Sequence, residues 1–337
     1  VNENHVVIAA ENLSRRFGDL VAVEGLNLAI QQREIFGLVG PDGAGKTTTL
    51  RMLASIMTPT DGRASIAGHD TVREGEAVKR CIGYMPQQFS LYGDLSVAEN
   101  LGFFADVFGV RGPERRARMD RLLRFARLTE FAGRRAARLS GGMKKKLALA
   151  CALIHQPEIL LLDEPTIGVD PVSRREFWDV LAELHIQGVT ILLSTPYMDE
   201  AERCSRIGLM YAGRMVMCDT PDRVRRAIPG DVVELRSLGG GINPSDLARA
   251  EGILAALPGV AEVQVYGDRL HIFVDDTAGR APEIEAALTA AAIGPLELRP
   301  ARARMEEAFI SLIRRQGTFH RSRAQTLEGS NVETSDR

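Results

Sequence analysis

The chain carries Gly40-Pro41-Asp42-Gly43-Ala44-Gly45-Lys46-Thr47-Thr48, whose residue types and spacing suit a row of phosphates. Its glycines let successive backbone N–H groups turn inward, and a helix opening at the same point aims its positive end at the anion. Lys46 is expected to reach the β- and γ-phosphates and the Thr47 hydroxyl to ligate Mg²⁺, with Pro41, Asp42, Ala44 and Thr48 completing the cradle. Ile35-Phe36-Gly37-Leu38-Val39 before it reads as a buried strand, and Thr48 to Met57 after it as a helix closed by Thr58-Pro59. The plain alternative, a glycine turn with a surface lysine, leaves that strand-loop-helix context unexplained.

A second constellation is the apolar run Ile159-Leu160-Leu161-Leu162, which ends in Asp163-Glu164. This is the pattern of a central parallel strand whose carboxyl end faces a ligand crevice. Asp163 is expected to hold Mg²⁺, through a water. Glu164, sent to the other side of the strand by alternation, is expected to act as general base or to orient the attacking water. A solvated strand end before Pro165 would explain the charge but not its recurrence with the other motifs.

The third is Leu139-Ser140-Gly141-Gly142-Met143, which opens a predicted helix from Met143 to Ile154. Met143, Leu147, Ala150, Cys151 and Ile154 recur at spacings of three and four, as one packing face does. The free N–H groups of that helix start and the Ser140 hydroxyl form an anion site without a ligand in the same subunit. An ordinary glycine cap is the alternative.

In this fixed order the three motifs resemble the nucleotide-binding subunit of an ABC transporter, and the resemblance runs from about Glu11 to Ala227. It implies an α/β fold of the RecA-like P-loop NTPase type with a helical subdomain. It also implies two subunits opposed head to tail, so that Ser140-Gly141-Gly142 of one caps the γ-phosphate held by the other. Phe17 stands where the family stacks an aromatic on adenine. Gln87, in Gly83-Tyr84-Met85-Pro86-Gln87, stands where a glutamine touches Mg²⁺ and the water. Asp170, in Gly168-Val169-Asp170-Pro171, matches the loop that joins the two sites across the dimer. Asp170 followed by Pro171 is also an N-cap and first-turn proline, Phe17 also reads as a core aromatic, and Gln87 as a surface turn.

One position departs from the family. Aligned on Asp199-Glu200-Ala201-Glu202, Pro196 occupies the place of the histidine that contacts the γ-phosphate. Proline offers neither an imidazole nor a backbone N–H. Removing one preorganised donor typically costs on the order of 10² to 10³ in rate, so the expectation is a site that binds Mg-ATP and turns it over slowly. The alternative is that the proline merely starts a Tyr197 to Arg203 helix.

The phosphate loop, Gly83-Tyr84-Met85-Pro86-Gln87 and the missing histidine together resemble the N-terminal half of the tandem YbhF-type ATPases of ABC-2 exporters. Nothing beyond residue 230 repeats the phosphate loop. A separately encoded half, a truncated chain and a homodimer with two weak sites all remain open.

The 337 residues suggest about two domains. With 45% hydrophobic and 26% charged residues and a net charge of −2, the chain has the balance of a globular protein and no general pull toward nucleic acid. Cys81, Cys151, Cys204 and Cys218 form neither a Cys-x-x-Cys pair nor a disulfide framework. No run approaches the ~18 apolar residues of a spanning helix, and Val1-Asn2-Glu3-Asn4-His5 lacks a signal-peptide pattern. The expected place is the cytoplasmic face of the inner membrane, with the pore in another chain.

The ATPase domain is read as residues 1–229, with a helical subdomain from about 89 to 158. Ser96-Val97-Ala98-Glu99 reads as a capping box. The arginine-rich stretch from Arg111 to Arg138 reads as solvated helix faces around Met119, Leu122, Leu123 and Phe125, or as a surface for anionic lipid headgroups or an acidic coupling helix. Aromatics are not interleaved there as stacking platforms for bases.

Residues 230–317 change character. Asp231 to Arg236 alternates like a strand, Leu247 to Leu257 reads as a helix, and Val260 to Tyr266 and Arg269 to Val274 flank a Gly267-Asp268 turn. Glu283 to Ala292 is again helical and Leu296-Glu297-Leu298 strand-like, a β-α-β-β-α-β order that suggests a small α+β ferredoxin-like module. Met305 to Ile313 resembles the closing helix of ABC-2 ATPases, and residues 318–337 read as a tail or linker.

The functional expectation is an ATP-hydrolysing subunit that drives an ABC-2 membrane permease, as a homodimer or with a second ATPase half. Two other readings stay open: a regulatory nucleotide clamp, and a non-transport ABC ATPase, for which no coiled-coil insertion or zinc motif is visible.

Overall fold

The computed structural model describes residues 5–88, 91–227, 230–237, 244–294 and 296–314. The chain separates into two compact units, Val1–Thr220 and Pro221–Arg337. The division falls ahead of Pro229-Gly230, where the composition changes. Residues 228–229, Phe89 and the proposed tail from 318 lie outside the described residues.

The first unit opens with two long strands, β1 (Val6–Phe17) and β2 (Leu20–Gln31), then β3 (Ile35–Val39), α1 (Lys46–Leu53), β4 (Asp61–Ile66), β5 (His69–Asp70), α2 (Gly75–Cys81) and β6 (Ile82–Met85). Three helices follow, α3 (Val97–Val107), α4 (Gly112–Phe125) and α5 (Gly141–Ala152). The unit closes with β7 (Ile159–Asp163), α6 (Pro171–Ile186), β8 (Thr190–Thr195), α7 (Met198–Ala201), β9 (Arg206–Tyr211) and β10 (Arg214–Asp219).

A six-stranded sheet in the order β10-β9-β3-β8-β7-β6 is parallel from β9 to β6, with β10 antiparallel at one edge. Strands β3 and β7 are buried at every position, as an uninterrupted apolar run in a parallel sheet covered on both faces must be. An antiparallel sheet, β2-β1-β4-β5, shares with β3 and α1 a core built on Ile8, Leu26, Phe36, Leu50 and Ile66.

Local chemistry sets several boundaries. Ser96 accepts from the Glu99 N–H while Glu99 reaches back to the Ser96 N–H, so the capping box opens α3. Helix α1 ends at Leu53, short of the expected Met57, because Ala54 already caps it and Ser55 turns to a φ of +56°. Helix α5 is buried from Lys146 to Ala152, all the way round, in place of the single packing face that its spacing suggested. The helix expected from Tyr197 to Arg203 shrinks to the four residues of α7.

The second unit contains α8 (Pro221–Arg225), β11 (Asp231–Ser237), α9 (Pro244–Ala255), β12 (Val260–Tyr266), β13 (Arg269–Val274), α10 (Thr277–Ala290) and β14 (Leu296–Ala301). Its sheet runs β12-β13-β11-β14 with every neighbouring pair antiparallel. Val233, Leu235 and Ile272 pack with Leu247 and Leu254 of α9 and with Ile284 and Leu288 of α10. Helix α10 starts at Thr277, six residues before the expected Glu283, and holds Pro282 inside it. Asp276 caps it by accepting from the Gly279 N–H at 2.7 Å. A helix over residues 305–314, α11, follows β14.

Candidate functional site

Four parallel strands lie side by side in the order β3-β8-β7-β6. Their carboxyl ends bring together the phosphate loop, the Ser194-Thr195-Pro196 segment, Asp163-Glu164 and Gln87. A crevice at the carboxyl ends of an open parallel sheet is where such folds bind ligands.

The loop leaves β3 at Gly40, whose N–H donates to the Thr195 carbonyl at 3.3 Å, so Pro196 stands beside the phosphate loop. Gly45 has a φ of +101°, and a Cβ there would sit 2.5 Å from the Ala22 carbonyl oxygen. Only glycine satisfies both constraints. Lys46, the first residue of α1, is 3% exposed. Its ammonium donates to the Gly40 and Pro41 carbonyls at 2.8 and 2.9 Å and lies 3.1 Å from Glu164 Oε1. Three hydrogens therefore have three partners, and a phosphate must compete for one of them.

Glu164, 5% exposed, stands past the end of β7 with a φ of +47°. Strand alternation therefore does not set its direction, contrary to the expectation. Its Oε2 accepts from the Gln87 amide at 2.7 Å across 77 residues of sequence. Asp163 Oδ1 accepts from the hydroxyls of Thr47 at 2.9 Å and Ser194 at 2.8 Å. Ser194 Oγ in turn accepts from the Glu164 N–H at 2.9 Å, so one hydroxyl orients both acids.

The other Asp163 oxygen, Oδ2, is buried without a hydrogen-bond partner. A buried carboxylate oxygen left unpaired is unfavourable unless a cation or donor completes it. With the Thr47 hydroxyl already on the same carboxylate and Gln87 bonded through its amide nitrogen to the neighbouring Glu164, the oxygens of Asp163, Thr47 and the Gln87 amide form a donor set that fits Mg²⁺, which keeps several waters and takes one or two protein carboxylates. Among the described residues no group of three or more His, Cys, Asp or Glu is arranged as a metal cage.

Lys145, on α5, did not stand out in the sequence. Its ammonium donates to the Gln87 carbonyl at 2.9 Å. Burial lowers its pKa, while the nearby Asp163 and Glu164 carboxylates pull in the opposite direction. Ser194 and Lys145 were missed because a serine at a strand end and a lysine in a run of three carry no distinguishing local pattern.

Phe17 ends β1, a residue 42% exposed, with the Arg15 guanidinium 4.7 Å from its ring centroid. It is a surface aromatic and not a core one. Ser140 caps α5 by accepting from the Met143 N–H at 3.3 Å, so part of its hydroxyl capacity serves its own helix. Gly142 lies against the start of α6, where a Cβ would come within 2.6 Å of Ser173. Asp170 caps α6 through the Ser173 N–H at 2.9 Å, with Pro171 in the first turn, and that bond holds its carboxyl below the usual range. The Leu139 to Met143 motif and the Asp170 loop are thus neighbours within one chain.

The family model described as ABC transporter matches residues 23–167. The chain is 44% identical over 225 residues to the probable multidrug ABC transporter ATP-binding protein YbhF of Escherichia coli, covering 67% of this chain and 39% of that protein. It therefore spans well under half the length of that relative. It is 39% identical over 268 residues to Nod factor export ATP-binding protein I of Burkholderia thailandensis, covering 79% of this chain and 85% of that one. The ATP-binding cassette MJ0796, solved as a dimer in a post-hydrolysis state with ADP and Pi, superposes with a TM-score of 0.58 at 29% identity, over 63% of this chain and 98% of that one. The phosphate loop, the acids at the end of β7 and these likenesses agree: the chain belongs to the ATP-binding subunits of ABC transporters and is an ABC-type ATPase.

Proposed function

We propose that the chain hydrolyses Mg-ATP to power an ABC-2 type export permease. The observation that carries this is the meeting of Lys46, Gln87 and Glu164 on one side, and of Thr47, Ser194 and Asp163 on the other, at the ends of four adjacent strands. Export is supported by the names of the relatives, one a multidrug transporter subunit and one a Nod factor export subunit. No helix among the described residues is long and apolar enough to cross a membrane. This reading assigns the pore to a partner permease and this subunit to the cytoplasmic face.

The loop from Gly40 to Thr48 cradles the phosphates, and Phe17 offers its open ring face to adenine. Thr47 and Asp163, with Gln87 beside them, would hold Mg²⁺, which when bound would neutralise charge on the phosphates. On nucleotide binding Lys46 exchanges its Glu164 contact for a phosphate oxygen, which leaves Glu164 to its Gln87 partner and to water. Glu164 then takes a proton as the water oxygen bonds to the γ-phosphorus. The bond to the β-phosphate oxygen breaks, and ADP and phosphate leave. The motif from Leu139 to Met143 of a second subunit, a copy of this chain or another ATPase half, closes the site from the far side, and Asp170 joins the two sites.

Pro196 supplies no donor toward the γ-phosphate, so this site turns over slowly. Residues 230–317 form a ferredoxin-like accessory module with closing helix α11, a reading supported by the strand order β12-β13-β11-β14. Its role is regulation or pairing.

The test is assembly. With Glu164→Gln, which keeps nucleotide bound, light scattering should report a dimer that depends on Mg-ATP. The chain should also co-purify with a membrane permease from detergent extracts. A strictly monomeric chain saturated with Mg-ATP, with candidate partners supplied, would overturn the reading.

A further inference from the structure

Glu200 is 1% exposed on the short helix α7, and no step above uses it. Each of its carboxylate oxygens is taken by a hydroxyl from a different segment, one in the loop after β7 and one at the end of β8. Thr166 donates to Oε1 at 2.6 Å and Thr195 to Oε2 at 2.7 Å. Thr166 is two residues beyond Glu164. Thr195 directly precedes Pro196, and its hydroxyl also accepts from the Tyr197 N–H at 3.0 Å.

Arg174 joins from α6. Its Nε lies 3.9 Å from Glu200 Oε1, its Nη1 lies 3.6 Å from Asp199, and its guanidinium stacks 4.2 Å from the centre of the Tyr197 ring. The Arg174 N–H donates to the Asp170 carbonyl at 2.9 Å, within the first turn that Asp170 caps. Four segments therefore meet at one buried carboxylate: the loop after Glu164, the segment before Pro196, the helix that Asp170 opens, and α7.

Burying a carboxylate is unfavourable unless donors surround it, whereas charge-assisted bonds in a dry interior are short and directional. An apolar side chain would fill the same space without that cost but would tie no segments together. Since Pro196 lacks an N–H, the Thr195 hydroxyl, not residue 196, anchors this segment.

We propose that Glu200 is a positioning residue for hydrolysis: it locks the Glu164 segment to the Thr195-Pro196 segment and, through Arg174, to the Asp170 loop. A shift at Asp170 then reaches Glu164 through one carboxylate. This rests on the reading of Glu164 as the group that takes the water's proton.

The experiment measures Mg-ATP affinity and single-turnover hydrolysis on the full chain for Glu200→Gln, Thr166→Val, Thr195→Val and the double valine variant, with Glu164→Gln as reference. For Glu200→Gln, affinity should stay within twofold while the hydrolytic step falls about tenfold or more, since a small misplacement of reacting groups is enough. Each valine variant should fall less, and adding either to Glu200→Gln should cost less than it does alone, as members of one network do. Should Glu200→Gln fail to fold, the valine variants, which keep side-chain shape, carry the same expectations. A folded Glu200→Gln chain with wild-type hydrolysis overturns the proposal, as does a parallel loss of affinity and rate, or strict additivity. If Glu164→Gln is inactive while Glu200→Gln is not, only the positioning role fails. If Glu164→Gln itself hydrolyses normally, the reading beneath it fails.

Discussion

Two of the buried acid clusters among the described residues are finished differently. At the end of β7, Asp163 keeps one oxygen without a partner, and the Lys46 and Gln87 contacts of Glu164 come from groups that also face the phosphate crevice. In the second unit, Glu234 and Glu307 close on His271 from its two ring nitrogens, one at 3.2 Å through Nε2 and the other through Nδ1. Arg269 adds a contact to Glu234 at 3.1 Å, and the Arg304 N–H one to Glu307 at 2.8 Å. That second cluster fastens α11 to the sheet face bearing His271, and Gln264 of β12 reaches the Glu307 carbonyl at 3.5 Å. Buried charge alone therefore does not mark chemistry. An acid held by groups that can be drawn away toward a crevice marks a site, and acids held among a histidine, an arginine and a backbone N–H within their own unit mark a joint.

The contrast is broken most severely at Glu164. Glu164→Gln should lower single-turnover hydrolysis by roughly 10² to 10⁴, the usual contribution of a positioned base, while equilibrium binding of Mg-ATP persists. A variant that hydrolyses normally would place the chemistry elsewhere. Next comes Pro196→His, which restores an imidazole donor beside the phosphate loop. The hydrolytic step should rise by at least about tenfold, part of what a single preorganised donor typically supplies, and an unchanged rate would make the proline neutral. Asp163→Asn keeps the shape of the open cluster and removes its charge, so titrations should show the Mg²⁺ dependence of nucleotide binding weakened by roughly tenfold. A variant that binds Mg-ATP as tightly as wild type would remove Asp163 from the metal site.

The smallest effect belongs to the closed cluster. The Glu307 carboxylate, helped by Glu234 and opposed by burial, raises the pKa of His271 above its ordinary 6.5. A raised folded-state pKa contributes stability that is complete below the unfolded value and is lost as pH climbs through the folded one. Thermal unfolding of the second unit should therefore fall by a few degrees as pH rises from 6.5, and His271→Gln should flatten that dependence without touching nucleotide affinity. A second unit whose unfolding is as pH-dependent with glutamine as with histidine would dissolve the comparison.

How much of this was legible differs from element to element. The Ser96 capping box and the hairpin of β12 and β13 about Gly267-Asp268 were readable because their bonds join residues a few positions apart. The start of α10 was not, because Pro282 looks like a boundary when the sequence alone is read, while the Asp276 cap and the burial of Ile284 and Leu288 carry the helix through it. The single face expected of α5 was lost because neighbours pack on it from all sides.

By itself the sequence determined which short segments have the right residues: the loop from Gly40 to Thr48, the apolar strand ending in acids, the glycine helix start, and a proline where a histidine was expected. Those are local properties, set by backbone freedom, hydrophobic run length and side-chain chemistry. Only the tertiary structure decided that Thr47 meets Asp163 across 116 residues, that Ser194 holds both acids, that Lys145 hooks Gln87, and that Glu200 ties the loop after β7 to the end of β8. The physical reason is the strand order. Adjacency in a parallel sheet is settled by crossovers through helices, and it brings together carboxyl ends that lie far apart along the chain.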